Sequence, residues 1–126
     1  VTFDSASGDK ISFKNSQNIN LVASLWKADS DVLVIMAHGS GSNRYARGLF
    51  QDIAVSFQGF GYNVLSFDFS GHGESDDVVF NTAQSVDDVT AAITYAAEQG
   101  FKKIALFGHS FGALSCLKAS NSKIDT

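Results

Sequence analysis

A chain of 126 residues with 44% hydrophobic content and a net charge of −4 suits one small globular domain and excludes a disordered acidic polymer. No basic cluster offers a phosphate footprint, which excludes nucleic acid as a partner, and no apolar run reaches the length of a membrane span. The single Cys116 rules out an internal disulfide; read as a small buried hydrophobe, it favours a reducing, cytoplasmic compartment. The chain opens on Val1 rather than methionine, so we expect a segment of a longer product.

Residues 1–29 read as β structure. Val1–Asp4 is either a further edge strand or a frayed end. Strands are expected near 10–14 and 21–26, joined as a hairpin through the turn residues Asn15, Ser16, Gln17 and Asn18. Val32–Ala37, VLVIMA, is a continuous apolar run, the pattern of a parallel strand buried on both faces. It ends in His38-Gly39-Ser40-Gly41-Ser42-Asn43, where Ser42 or Asn43 is placed to cap a helix over 43–58. Tyr45, Leu49, Phe50, Ile53 and Phe57 recur on one side of that helix. A strand over 62–67 then enters a polar, glycine-rich loop at 68–76. A second helix is expected over 86–99, with Ser85 and Asp88 as a capping pair and Val89, Ile93, Ala96 and Ala97 as its apolar stripe. A strand at 103–107 and a helix over 111–120 complete the order.

Strands alternating with helices give a mostly parallel sheet with a leading antiparallel hairpin and helices on both faces. In such a fold the loops that follow the parallel strands gather at one edge of the sheet, where ligands bind. Three glycine-rich loops, 38–43, 68–76 and 108–112, therefore converge.

The last of these, Gly108-His109-Ser110-Phe111-Gly112, sits between an apolar strand and a helix and carries the G-x-S-x-G pattern of a nucleophile elbow. A sharp strand-to-helix turn lifts the serine hydroxyl clear of the sheet, and glycine on either side supplies the clearance. The helix starting there aims free N–H groups at a developing negative charge.

Together these residues resemble the α/β-hydrolase family, in particular its serine hydrolases of the esterase, lipase and serine-aminopeptidase type. Gly108–Gly112 resembles the nucleophile elbow, His38-Gly39-Ser40-Gly41 the oxyanion loop, and Asp68-Phe69-Ser70-Gly71-His72-Gly73-Glu74-Ser75 the D-x-R-G-H-G-x-S loop, with Ser70 in place of arginine. The resemblance implies the N-terminal part of an α/β-hydrolase fold, with the hairpin first in the sheet, then strand 62–67, then 32–37, then 103–107. It implies Ser110 as nucleophile toward a small-molecule acyl substrate, a carboxylic ester above all, and an oxyanion hole from the N–H groups of Ser40 and Phe111. His38, Gly39, Gly41, Gly108, His109, Gly112, Asp68 and His72 would support these groups, with no cofactor or metal.

In this family the triad acid and then the histidine follow the serine. No histidine lies beyond His109, so both are expected in a missing C-terminal part. Strand 103–107 would then have an unpaired edge, open to self-association. The alternatives are a non-catalytic binding module or inactive fragment of the same fold, and a nucleotide-binding domain. The last rests on Gly71–Asp76, which half-matches G-x-G-x-x-G but ends on an acid.

Overall fold

Val32–Ala37 (β3) is the centre of the sheet because every residue of it can be buried; all but Val32 are. In the computed structural model, which describes residues 7–123, β3 lies between two parallel partners. Asn63–Phe67 (β4) pairs on one side, with Ile35 opposite Leu65. Lys103–Gly108 (β5) pairs on the other, with Ile35 opposite Leu106. The hairpin of Asp9–Lys14 (β1) and Asn20–Trp26 (β2) adds antiparallel to β4, giving the order β1-β2-β4-β3-β5. This is the order that the resemblance implies. The expected edge strand or frayed end at Val1–Asp4 lies outside the described residues.

The alternation of side chains along the strands divides the core in two. Leu33, Ile35 and Ala37 face Val89, Ala92 and Ile93 of the helix Thr82–Glu98 (α2) and Cys116 and Ala119 of Phe111–Lys123 (α3). Val34 and Met36 face the opposite way, toward Phe50 and Ala54 of Leu49–Gly59 (α1). From β3 the chain crosses over α1 to β4 on one side, then over α2 to β5 on the other. The strand order thus reverses at β3, and the loops after β3 and β5 lead to helices on opposite faces. A crevice opens between such loops.

Four expectations about the helices need correction. The first helix begins at Leu49, not at 43: Asn43 accepts from the N–H groups of Tyr45 and Ala46 (2.9 and 3.1 Å) and closes a turn, and Ala46–Gly48 forms a short 3-10 turn with Arg47 in the left-handed region. Tyr45 therefore stands outside the helix. The second helix begins at Thr82, a turn early, because Asn81 caps it by accepting from the Gln84 N–H at 2.8 Å. Ser85 and Asp88 are no capping pair. Ser85 donates to the Thr82 carbonyl and accepts from Ser115 of α3, while Asp88 is committed elsewhere. Ala97, expected in the apolar stripe, is exposed, and Ala92 takes its place in the core.

Among the described residues nothing pairs with the outer edge of β5. Apolar grooves of about 460 and 480 Å³ flank that strand. Ile104, Leu106 and Cys116 line the first, and Val34, Phe57 and Phe107 the second. Leu117, on the α3 side, is 64% exposed. No helix among the described residues is long and apolar enough to cross a membrane.

Candidate active site

β5 and α3 meet at Ser110, whose backbone is left-handed (φ 57°) and whose side chain is exposed. A residue with a Cβ pays about 1–2 kcal/mol for that conformation, so the turn is held by its surroundings. The His109 N–H donates to the Ala37 carbonyl at 3.1 Å and the Gly112 N–H to the His109 carbonyl at 3.0 Å. The approach of α3 to the end of β3 leaves no room for side chains. A Cβ on Gly108 would lie 2.5 Å from the Ala113 nitrogen, and one on Gly112 would overlap the Ala37 carbonyl.

The 38–43 loop lies on the same rim. A Cβ built on Gly39 would be 3.6 Å from the Ser110 Cβ. Gly39, Ser40, Ser42, Arg47, His109 and Ser110 line a common groove of about 330 Å³. The N–H groups of Ser40 and Phe111 donate to no acceptor among the described residues, and neither does the Ser110 hydroxyl. Gly41, with φ 77°, makes the turn that returns the loop, closed by a Ser42 N–H to Gly39 carbonyl bond of 3.1 Å.

Two histidines fasten this loop to the 68–76 loop. His38 is fully buried; its Nε2 accepts from the Phe69 N–H at 3.1 Å, so its Nδ1 carries the proton given to the Gly39 carbonyl at 2.7 Å. The Nε2 of His72 accepts from the Gly41 N–H at 3.0 Å and its Nδ1 donates to the Ser70 carbonyl at 3.0 Å. Both rings have both nitrogens engaged. His109 is exposed, and no hydrogen bond joins it to Ser110. Hence the described residues present the serine with no hydrogen-bonded base.

Burial, with the neighbouring His72 adding to it, lowers the His38 pKa to about 4, against the opposing pull of the Gly39 carbonyl and Asp68. The unfolded chain takes up a proton near pH 6.5 that the folded His38 refuses until about 4. Stability is therefore unaffected by this ring above pH 6.5 and falls by about 3 kcal/mol as pH drops from 6.5 toward 4, because the unfolded state gains the proton first. Burial raises the pKa of Asp88, with the opposite sign, so bulk melting curves mix the two. A site-resolved NMR titration is expected to place the His38 midpoint near 4 with the proton on Nδ1; a midpoint at the ordinary 6.5 would contradict the assignment.

Asp68, fully buried, accepts from the N–H groups of Arg44 (2.7 Å) and Glu74 (3.0 Å) and from the Arg44 guanidinium. Gly73 is required beside it, because a Cβ there would overlap the carboxylate. No periodicity marks Arg44 in the sequence, yet it is buried and also donates to Ser24 (2.9 Å), Tyr45 (3.1 Å) and Glu74 (2.7 Å). Nor does the sequence mark Asp88 in this role. It accepts from the Ser70 N–H and hydroxyl (2.8 and 2.7 Å) and from Asn15 (2.9 Å), tying the hairpin turn and the loop to α2. Ser70, standing where the related pattern has arginine, thus has an anionic partner. Under the loops, the rings of Phe69, Phe80 and Phe111 pack on one another with centroids 5.5–6.3 Å apart and fix the residue after Ser110.

Solved structures similar to this chain include the esterase Pf2001 of Pyrococcus furiosus, 26% identical with a TM-score of 0.85 over 99% of this chain and 51% of that one. Another is the α/β hydrolase GrgF of Penicillium sp. sh18, 28% identical with a TM-score of 0.82 over 89% of this chain and 40% of that one. An α/β serine hydrolase homologue of Coxiella burnetii, 18% identical with a TM-score of 0.82 over 94% of this chain and 59% of that one, shares the fold. The chain spans about half the length of the first of these structures. No curated protein sequence matches it significantly. Residues 28–125 match the family described as serine aminopeptidase, S33. With these loops on this sheet, the chain belongs to the serine aminopeptidase S33 family of α/β hydrolases.

Proposed function

We propose that the protein is a serine hydrolase that acts on carboxylic esters or related acyl substrates through an acyl-enzyme on Ser110. The observation that carries this is the exposed, left-handed Ser110 within contact range of Gly39. The serine oxygen attacks the acyl carbon while its proton passes to a base. The N–H groups of Ser40 and Phe111, without other acceptors, hold the negative oxygen of the tetrahedral intermediate. Collapse expels the alcohol, protonated by the same base, and water then cleaves the acyl-enzyme.

The base and its orienting acid come from a C-terminal part that would pair with the open edge of β5 and cover its apolar grooves. Longer structural relatives and the full engagement of His38 and His72 support this arrangement. The isolated 126-residue chain would then hydrolyse esters negligibly and self-associate through β5. The buried, unpaired Cys116, its thiol pKa pushed up to about 11 by burial, fits a reducing, cytoplasmic setting.

The second reading, a binding module or inactive fragment, is favoured by one observation: no described histidine bonds to Ser110. Turnover separates the two. The full-length protein is expected to hydrolyse 4-nitrophenyl acetate, and Ser110→Ala to lower kcat by about 10³-fold or more. Absence of hydrolysis from the full-length protein favours the second, and hydrolysis that survives Ser110→Ala contradicts an acyl-enzyme on Ser110.

A further inference from the structure

Ala46, Arg47 and Gly48 are three successive left-handed residues, with φ of 47°, 58° and 90°. Glycine adopts this region freely; alanine and arginine do so at a cost of about 1–2 kcal/mol each. The strain is spent at one place. Arg47 is exposed on the wall of the groove that also holds Ser40, Ser42 and Ser110. Its guanidinium meets no carboxylate among the described residues, whereas Arg44, three residues earlier, is buried against Asp68 and Glu74. None of the residues lining the groove is acidic, in a protein whose net charge is −4. A free planar fork of donors beside an acyl-accepting serine matches the geometry of a carboxylate.

We propose that Arg47 is a specificity-determining residue and that the substrate carries a second, unesterified carboxylate, bound by Arg47 in the groove beside Ser110. The proposal rests on Ser110 being the acyl acceptor. The carboxylate can belong to the acyl or to the alcohol part, and two matched pairs of esters distinguish these. For the acyl side they are 4-nitrophenyl hydrogen succinate and 4-nitrophenyl butyrate. For the alcohol side they are 4-acetoxybenzoate and its methyl ester.

In the full-length protein, one anionic ester is expected to exceed its neutral partner in kcat/KM, relative to their alkaline hydrolysis rates. Arg47→Gln should lower that ratio about tenfold, the effect of losing one charge-assisted contact, and Arg47→Lys should keep part of it. No anionic preference in either pair, or a ratio that Arg47→Gln leaves in place, overturns the proposal. If none of the four esters is hydrolysed, the ester reading of Ser110 loses its support, and calorimetric titration with succinate still decides the Arg47 site. Binding that Arg47→Gln abolishes upholds a carboxylate site at Arg47, and binding that is equal in both or absent from the wild type overturns it.

Discussion

Asp68→Ala is expected to destabilise the fold by about 4 kcal/mol, because it removes the fully buried anion paired with a buried guanidinium and leaves two backbone N–H groups without an acceptor. Asp68 joins the 38–44 segment to the 68–76 loop at a point that water does not reach, so no solvent replaces it. Glu74 supplies the contrast. It also accepts from Arg44, and from Lys10 at 2.9 Å, but its side chain is 52% exposed. Glu74→Ala should therefore cost less than about 1 kcal/mol. Denaturant titrations of both variants check the pair. Losses of similar size would mean that Arg44 draws on both carboxylates alike and that Asp68 is not the hub of the loops.

Gly112→Ala should be nearly as damaging, by roughly 3 kcal/mol, although it adds a single methyl group and improves helix propensity. The added Cβ would meet the carbonyls of Ala37 and His38, backbone atoms at the end of the central strand that have no rotamer to change. The first turn of α3 would have to retreat, and Ser110 with it. Gly41→Ala adds the same methyl group in the neighbouring loop, where nothing lies within 4 Å; its cost is only that of a left-handed alanine, about 1 kcal/mol. Thermal unfolding of the two variants should rank Gly112→Ala well below Gly41→Ala. The reverse order would show that α3 is not packed directly on β3.

The parts of this structure that announce themselves in the sequence are those written in runs. VLVIMA at 32–37 reads as a strand buried on both faces and is one from Leu33 on, and the glycines around Ser110 mark a tight turn whose crowding is visible in the contacts that a Cβ would make. The parts that do not are single polar side chains whose partners lie far away in the chain. Arg44 and Asp68 are 24 residues apart, and Asn15 and Asp88 are 73 apart. No local pattern distinguishes them from surface residues. Asp88 misleads further, because an acid early in a helix has a ready explanation as a cap. The start of α1 is hidden for another reason: Ala46 and Arg47 carry good helix propensity, and only the tertiary structure puts them in left-handed backbone.

The central claim is that the Ser110 hydroxyl takes up an acyl group. The most direct measurement is covalent labelling of the full-length protein with a fluorophosphonate, with the modified peptide located by mass spectrometry. The account predicts a single adduct on Ser110, absent after heat denaturation. An adduct on another residue, or an unmodified Ser110 in a protein that hydrolyses esters, would contradict it.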